Sequence, residues 1–205
     1  MIKLRNNDPF INRTRITSFT ATYPVTKTVY FGNYGHQGVL HNLKLKVKQN
    51  IKKEFSHKTY VRGGKTSWDC FVHDVDFSKF ITDTFDLIKP AYYPNFKYET
   101  DLKIAEAWGN VLKKGEYVIP HVHGTKQGIL YLTKGNPLIL SESNIEINPE
   151  PGDFILAPEQ VYHYVEEVQT EEERINIVFN NSLYDDFRHV NERFKDQDTP
   201  PKAKT

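Results

Sequence analysis

From residue 102 onward, closely spaced glycines and prolines cut the chain into short β-prone segments, and that rhythm leaves few folds open. The candidate strands are 103–112, 117–123, 128–133, 137–140, 144–147, 153–157, 162–168 and 174–179. Between them fall Gly115, Gly124, Gly135-Asn136, Pro149 and Pro151-Gly152, the residue types that set turns. Eight short strands with such punctuation predict a sandwich or jelly roll. The 12 Tyr and 13 Phe agree, because aromatic side chains suit a pleated surface better than a helical bundle.

The first hundred residues are less regular. Segments 16–23 and 28–31 read as strands, and Gly32, Gly35 and Gly38 predict a loop after them. In 40–55, Leu43, Leu45 and Val47 alternate as in a strand, but the length and the Lys- and Gln-rich composition favour a helix. Gly63-Gly64 breaks the chain before Trp68. A second helix is expected over 78–88, capped by Ser78, with Phe80, Ile81, Phe85 and Ile88 on its apolar face and Pro90 as its stop. The expectation is a mainly β jelly roll with one or two flanking N-terminal helices. It forms one domain: an extension over 1–100 packed on the barrel, a metal-binding core over 101–195, and a disordered tail over 196–205.

The charge balance, 27 basic against 26 acidic residues, gives no global attraction to nucleic acid. Lys44, Lys46, Lys48, Lys52 and Lys53 are read as a solvated face, and the glutamates at 166–167 and 171–173 as a hairpin end. A single cysteine, Cys70, excludes an internal disulfide and suits a reducing compartment. There is no apolar signal core at 1–8 and no run long enough to span a bilayer. These features predict a soluble, cytoplasmic protein; a homodimer through sheet faces remains open.

The chemistry concentrates in three histidines. His121 and His123 are two apart, so one strand can present both imidazoles to one cavity, with Tyr117 and Ile119 on the same face. His163 follows a second glycine- and proline-marked segment, Gly152 to Pro158. Neutral imidazoles suit Fe(II), Zn, Cu, Mn or Ni. One strand later, Arg174, Asn176, Val178 and Asn180 share a face opposite Ile175, Ile177 and Phe179. An arginine on a barrel strand near a metal ligand is costly unless it meets an anion, and its planar fork matches a carboxylate.

Segments 115–123 and 152–163 resemble the two motifs of the cupin superfamily, although Gln127 and Gly128 stand where a cupin usually has a glutamate. With Trp108-Gly109-Asn110, residues 128–132 and Arg174 through Asn180, the pattern resembles the 2-oxoglutarate/Fe(II)-dependent oxygenases, in particular a bacterial and phage subgroup. The likeness spans about 60 to 181, with Gly63-Gly64 and Trp68 as its weakest part. It implies a double-stranded β-helix, Fe(II) on His121, His123 and His163, and 2-oxoglutarate and O2 as co-substrates. It also implies that Arg174 anchors the distal carboxylate, with Tyr131 or Asn110 adding a hydrogen bond. Tyr131 is equally readable as a core aromatic, whereas Trp108 is read as core packing rather than a substrate platform, and Asn180 as a strand-end residue satisfying backbone. Where the family carries a carboxylate ligand this chain has His123, so the third ligand is either that imidazole or a carboxylate from elsewhere, such as Glu106. The alternatives are a three-histidine cupin-type enzyme without 2-oxoglutarate and a non-catalytic jelly-roll module. The substrate, a small molecule or a protein side chain, is not encoded in any motif.

Overall fold

The computed structural model describes residues 2–4, 15–21, 26–52, 59–92 and 102–183. The expected tail at 196–205 lies outside them. Thirteen strands and two helices occur among the described residues. The strands are β1 (Ile2–Leu4), β2 (Arg15–Ala21), β3 (Lys27–Asn33), β4 (Val61–Arg62), β5 (Gly64–Lys65), β6 (Leu102–Leu112), β7 (Tyr117–His121), β8 (Lys126–Tyr131), β9 (Leu138–Leu140), β10 (Ile145–Ile147), β11 (Asp153–Ala157), β12 (His163–Val165) and β13 (Arg174–Leu183).

They form two sheets. The minor sheet runs β1-β10-β9-β12-β7-β4 and the major sheet β2-β3-β11-β8-β13-β6-β5. Successive strands from β6 to β13 therefore alternate between the sheets, apart from β9 and β10, which both stay in the minor sheet, and this is the double-stranded β-helix. Segments from the first hundred residues complete both sheets: β3 pairs with β11, β5 with β6 and β4 with β7.

Period-two alternation gives the major sheet two different faces. Outward, Ala107, Val111, Leu130, Phe154, Leu156, Ile175, Ile177 and Phe179 form a core with the helices α1 (Gln37–Asn50) and α2 (Val75–Tyr92). Inward, Trp108, Leu112, Ile129, Tyr131, Ile155 and Val178 meet Val118, Leu138, Leu140 and Val165 of the minor sheet. Since helices cover the outer face of the major sheet, that face is not free for the sheet-to-sheet dimer left open above.

In α1 the buried residues are Val39, Leu40, Leu43 and Val47, a helical stripe. Leu45, which completed the alternating pattern, is left 43% exposed. Gly38 begins this helix and Gly32 lies within β3, so of the expected loop glycines only Gly35 sits in a loop. The helix α2 starts earlier than expected, because Asp74 rather than Ser78 caps it: Asp74 Oδ1 accepts from the N–H groups of Asp76 and Phe77. It also runs two residues past Pro90. The ring of Phe179 lies flat where a side chain at Gly128 would be; a Cβ there would come within 2.0 Å of it. Phe77 and Phe80 meet the same ring edge-on at 5.3 and 5.9 Å.

No helix among the described residues is long and apolar enough to cross a membrane.

Candidate metal centre

His121 ends β7 and faces His163, which opens β12; the two are register partners. The ladder slips between them: His163 pairs with His121 but Val165 pairs with Val118, so β7 has one extra residue, a β-bulge. Pro120, which has no N–H for the ladder, lies in that bulge. The slip breaks the expected parity. Val118 and His121 both turn inward, whereas Tyr117 is 40% exposed. His123 is not on the strand at all, since β7 stops at His121. A backbone hydrogen bond from Gln160 N–H to the His123 carbonyl (3.0 Å) fixes its position instead.

The structure brings all three histidines together, with one potential ligand atom from each lying within 4.8 Å of the others. His121 Nδ1 is 2.8 Å from the Ile119 carbonyl and His163 Nδ1 is 2.9 Å from that of Val161. A carbonyl only accepts, so both Nδ1 atoms carry the proton and both Nε2 atoms present lone pairs. The Asn180 side chain lies close to His123, with its amide oxygen unpartnered. His123 Nε2 lies 3.1 Å from that of His121. Two nitrogen ligands about 2.1 Å from one metal at right angles would be about 3.0 Å apart, so this spacing fits a shared cation. Burial lowers the pKa of all three rings, that of His123 to about 3, with the neighbouring imidazoles adding to the effect on His123 and His163. They are therefore neutral at ordinary pH, as ligation requires.

The inward face of the major sheet lies opposite. Register places Glu106, Asn180 and Gln127 in one row, Trp108, Val178 and Ile129 in the next, and Asn110, Asn176 and Tyr131 in a third. Asn180 Nδ2 donates to Glu106 Oε2 at 2.7 Å, so its amide engages a side chain and does not merely satisfy backbone. Glu106 is thereby engaged outside the histidine cluster. Gln127 Nε2 is 3.5 Å from His163 Nδ1. Trp108 is buried and stacks on His123 (18° between planes, 6.4 Å between centroids), and Tyr60 stacks on His121 (11°, 4.5 Å).

Arg174 is fully buried on this face. Its Nε donates to the Asn136 carbonyl at 3.0 Å, but one terminal nitrogen has no partner. The guanidinium carbon is 5.1 Å from the Tyr131 ring centroid, and the Tyr131 hydroxyl is buried, its pKa pushed up to about 12 by desolvation. Asn110 donates to Asn176 at 3.2 Å and leaves its own Oδ1 unpartnered. Gly135 allows this packing: a Cβ there would be 2.7 Å from Arg174 Cβ. Arg174, Tyr131 and Asn110 thus share one wall, with polar atoms to spare for a ligand.

Sequence reasoning missed three contributors. Tyr60 and Lys65 carried no motif and come from the N-terminal segment that seemed without chemistry; Gln127 was noted only as a departure from the cupin glutamate. A surface groove of about 310 Å³ lined by Lys44, Lys48, Leu132, Lys134 and Ile175 contains none of the histidines.

The strand order defines the class of fold, a double-stranded β-helix with a three-histidine cluster at one end of its interior. Solved structures share it. A prolyl hydroxylase from Trichoplax adhaerens, in complex with a hypoxia-inducible factor oxygen degradation domain peptide fragment, aligns over 87% of both chains with a TM-score of 0.57 and 12% identity. A viral collagen prolyl hydroxylase from Paramecium bursaria Chlorella virus-1, bound to 2-oxoglutarate, covers 71% of this chain and 90% of its own (TM-score 0.56, 12% identity). HygX from Streptomyces hygroscopicus, with nickel and 2-oxoglutarate bound, covers 73% and 80% (TM-score 0.53, 13% identity). No protein-family model and no curated protein matches the sequence.

Proposed function

We propose that this protein is a 2-oxoglutarate- and Fe(II)-dependent oxygenase that hydroxylates a small-molecule or protein side-chain substrate. One observation carries the reading: a fully buried arginine with a spare donor on the same barrel interior as three convergent neutral imidazoles. Such a guanidinium is strongly destabilising unless an anion completes it. The neighbours crystallised with 2-oxoglutarate support the same co-substrate here.

His121, His123 and His163 would hold the metal, which when bound would couple O2 activation to oxidation of 2-oxoglutarate to succinate. Arg174 grips the distal carboxylate bidentately, and the Tyr131 hydroxyl and Asn110 add hydrogen bonds at the same wall. Ile129, Val178 and Leu112 keep water from this part of the interior. The carbonyls of Ile119 and Val161 lock the orientations of the His121 and His163 rings, so these two are organised before ligands arrive. A set of three neutral ligands brings one negative charge fewer than two histidines and a carboxylate, and this favours capture of an anionic chelator. The single half-buried cysteine fits a reducing cytoplasm.

His123 in the carboxylate position supports a second reading, a three-histidine metalloenzyme that binds an acidic substrate directly on Arg174. Anaerobic visible absorption separates the two. Fe(II)-loaded protein titrated with 2-oxoglutarate should develop a saturable charge-transfer band, and Arg174→Ala should need far more co-substrate. Fe(II) binding without any band would favour the second reading.

A further inference from the structure

Lys65 has no accessible surface, and its amine has no hydrogen-bond partner. It enters the barrel from β5, at the edge of the major sheet, opposite the inward-facing Asn110. Its Nζ lies over the face of Trp68 and 5.0 Å from the centroid of Trp108. Trp108 also stacks on His123, and its own indole N–H is buried without an acceptor. Two unsatisfied N–H donors therefore lie on one wall beside the histidines, the Lys65 amine 5.0 Å from the centroid of the ring that carries the other. The carboxylate whose field reaches the amine is Glu106, and that group is hydrogen-bonded to Asn180 instead. Long basic side chains ordinarily carry their heads to the water's edge; this one is sealed under Trp68, itself 37% exposed. Arg174 lies elsewhere, on β13 against Tyr131 of β8, so the two basic side chains serve different places.

We propose that Lys65, together with the Trp108 indole N–H, binds an oxyanion of the primary substrate, a carboxylate or a phosphate. The inference rests on the oxygenase reading and adds a substrate class to it. Trp68 must swing aside to admit the group. A substrate anchored there has its charged end on the β6 side and its remainder directed along Trp108 toward the histidines.

Trp68 and Trp108 are the two tryptophans of the chain, so intrinsic fluorescence reports on this subsite. Ni(II)-loaded protein saturated with 2-oxoglutarate would be titrated at constant ionic strength with acetate, methyl phosphate and acetamide. One of the two anions should change the emission saturably and the neutral amide should not; which anion acts distinguishes carboxylate from phosphate. Lys65→Met should weaken that response at least tenfold and Lys65→Arg should largely keep it. No saturable response to either anion, an equal response to acetamide, or an unchanged response in Lys65→Met would overturn the proposal. The Fe(II)–2-oxoglutarate absorption band, recorded on the same variants, separates the two layers. A normal band without an anion response removes the subsite alone. A Lys65-dependent anion response without a band keeps the subsite and removes the oxygenase reading.

Discussion

The two faces of β13 differ more than most pairs of separate strands. Ile175, Ile177 and Phe179 are buried against helices and have nothing polar to satisfy. Arg174, Asn176 and Asn180, one residue away in each case, are as deeply buried but carry donors and acceptors, several of them unpartnered. One face stores stability. The other gives some up to hold groups in readiness for a ligand, which is the pattern expected where binding sites are preorganised.

The largest expected effect falls on the outward face. Phe179→Ala removes the ring that fills the space above Gly128 and should cost about 3–5 kcal/mol, read as a lower denaturation midpoint. Unchanged stability would show that the two faces do not divide the labour in this way. Arg174→Met should do the reverse. Its ligand-free stability should stay equal or rise, as when buried ions give way to apolar residues, while 2-oxoglutarate binding weakens by about 2–5 kcal/mol. Calorimetry on one preparation can measure both.

Asn180→Ala tests the support of His123. Loss of an outer partner to a metal ligand typically weakens metal binding about 10–100-fold, so a Co(II) titration should show a drop within that range. His123→Asp, which supplies a carboxylate directly, should bind Co(II) at least as well as the parent. If Asp fails there, His123 is not in a ligand position.

A further effect concerns pH. Burial lowers the Lys65 pKa from 10.5 to about 6. Between those values the unfolded chain binds a proton that the folded one does not, so stability rises with pH across that window. Lys65→Met should flatten the rise, as read from unfolding midpoints at a series of pH values. An identical slope in the variant would mean that the amine keeps its proton when folded.

Much of the barrel was legible because its signals are local. Turn residues separated the strands, and the Arg174–Asn180 alternation survives intact in the structure. The histidine cluster was legible as residue types but not as geometry. The shared face of Tyr117, Ile119 and His121 fails at the bulge, which depends on pairing with β12 and has no signature in β7 beyond Pro120. Asn180 was readable as polar, but its bond to Glu106 spans 74 residues. Lys65 was invisible for a related reason: its burial is decided by Trp68 and by a strand about 40 residues away, whereas composition alone places lysine on the surface.

The pairing of early segments with late ones also bears on how the chain is made. Ile2 registers with Ile145, Phe31 with Ile155 and Val61 with Val118. The strands holding Ile2 and Phe31 cannot find these neighbours until the ribosome has delivered much of the barrel, whereas that of Val61 needs only its second strand, β7. Such non-local pairing predicts slow folding. His163 and Arg174 follow all of these early strands, so a chain that stops before them would lack part of the proposed metal and anion site.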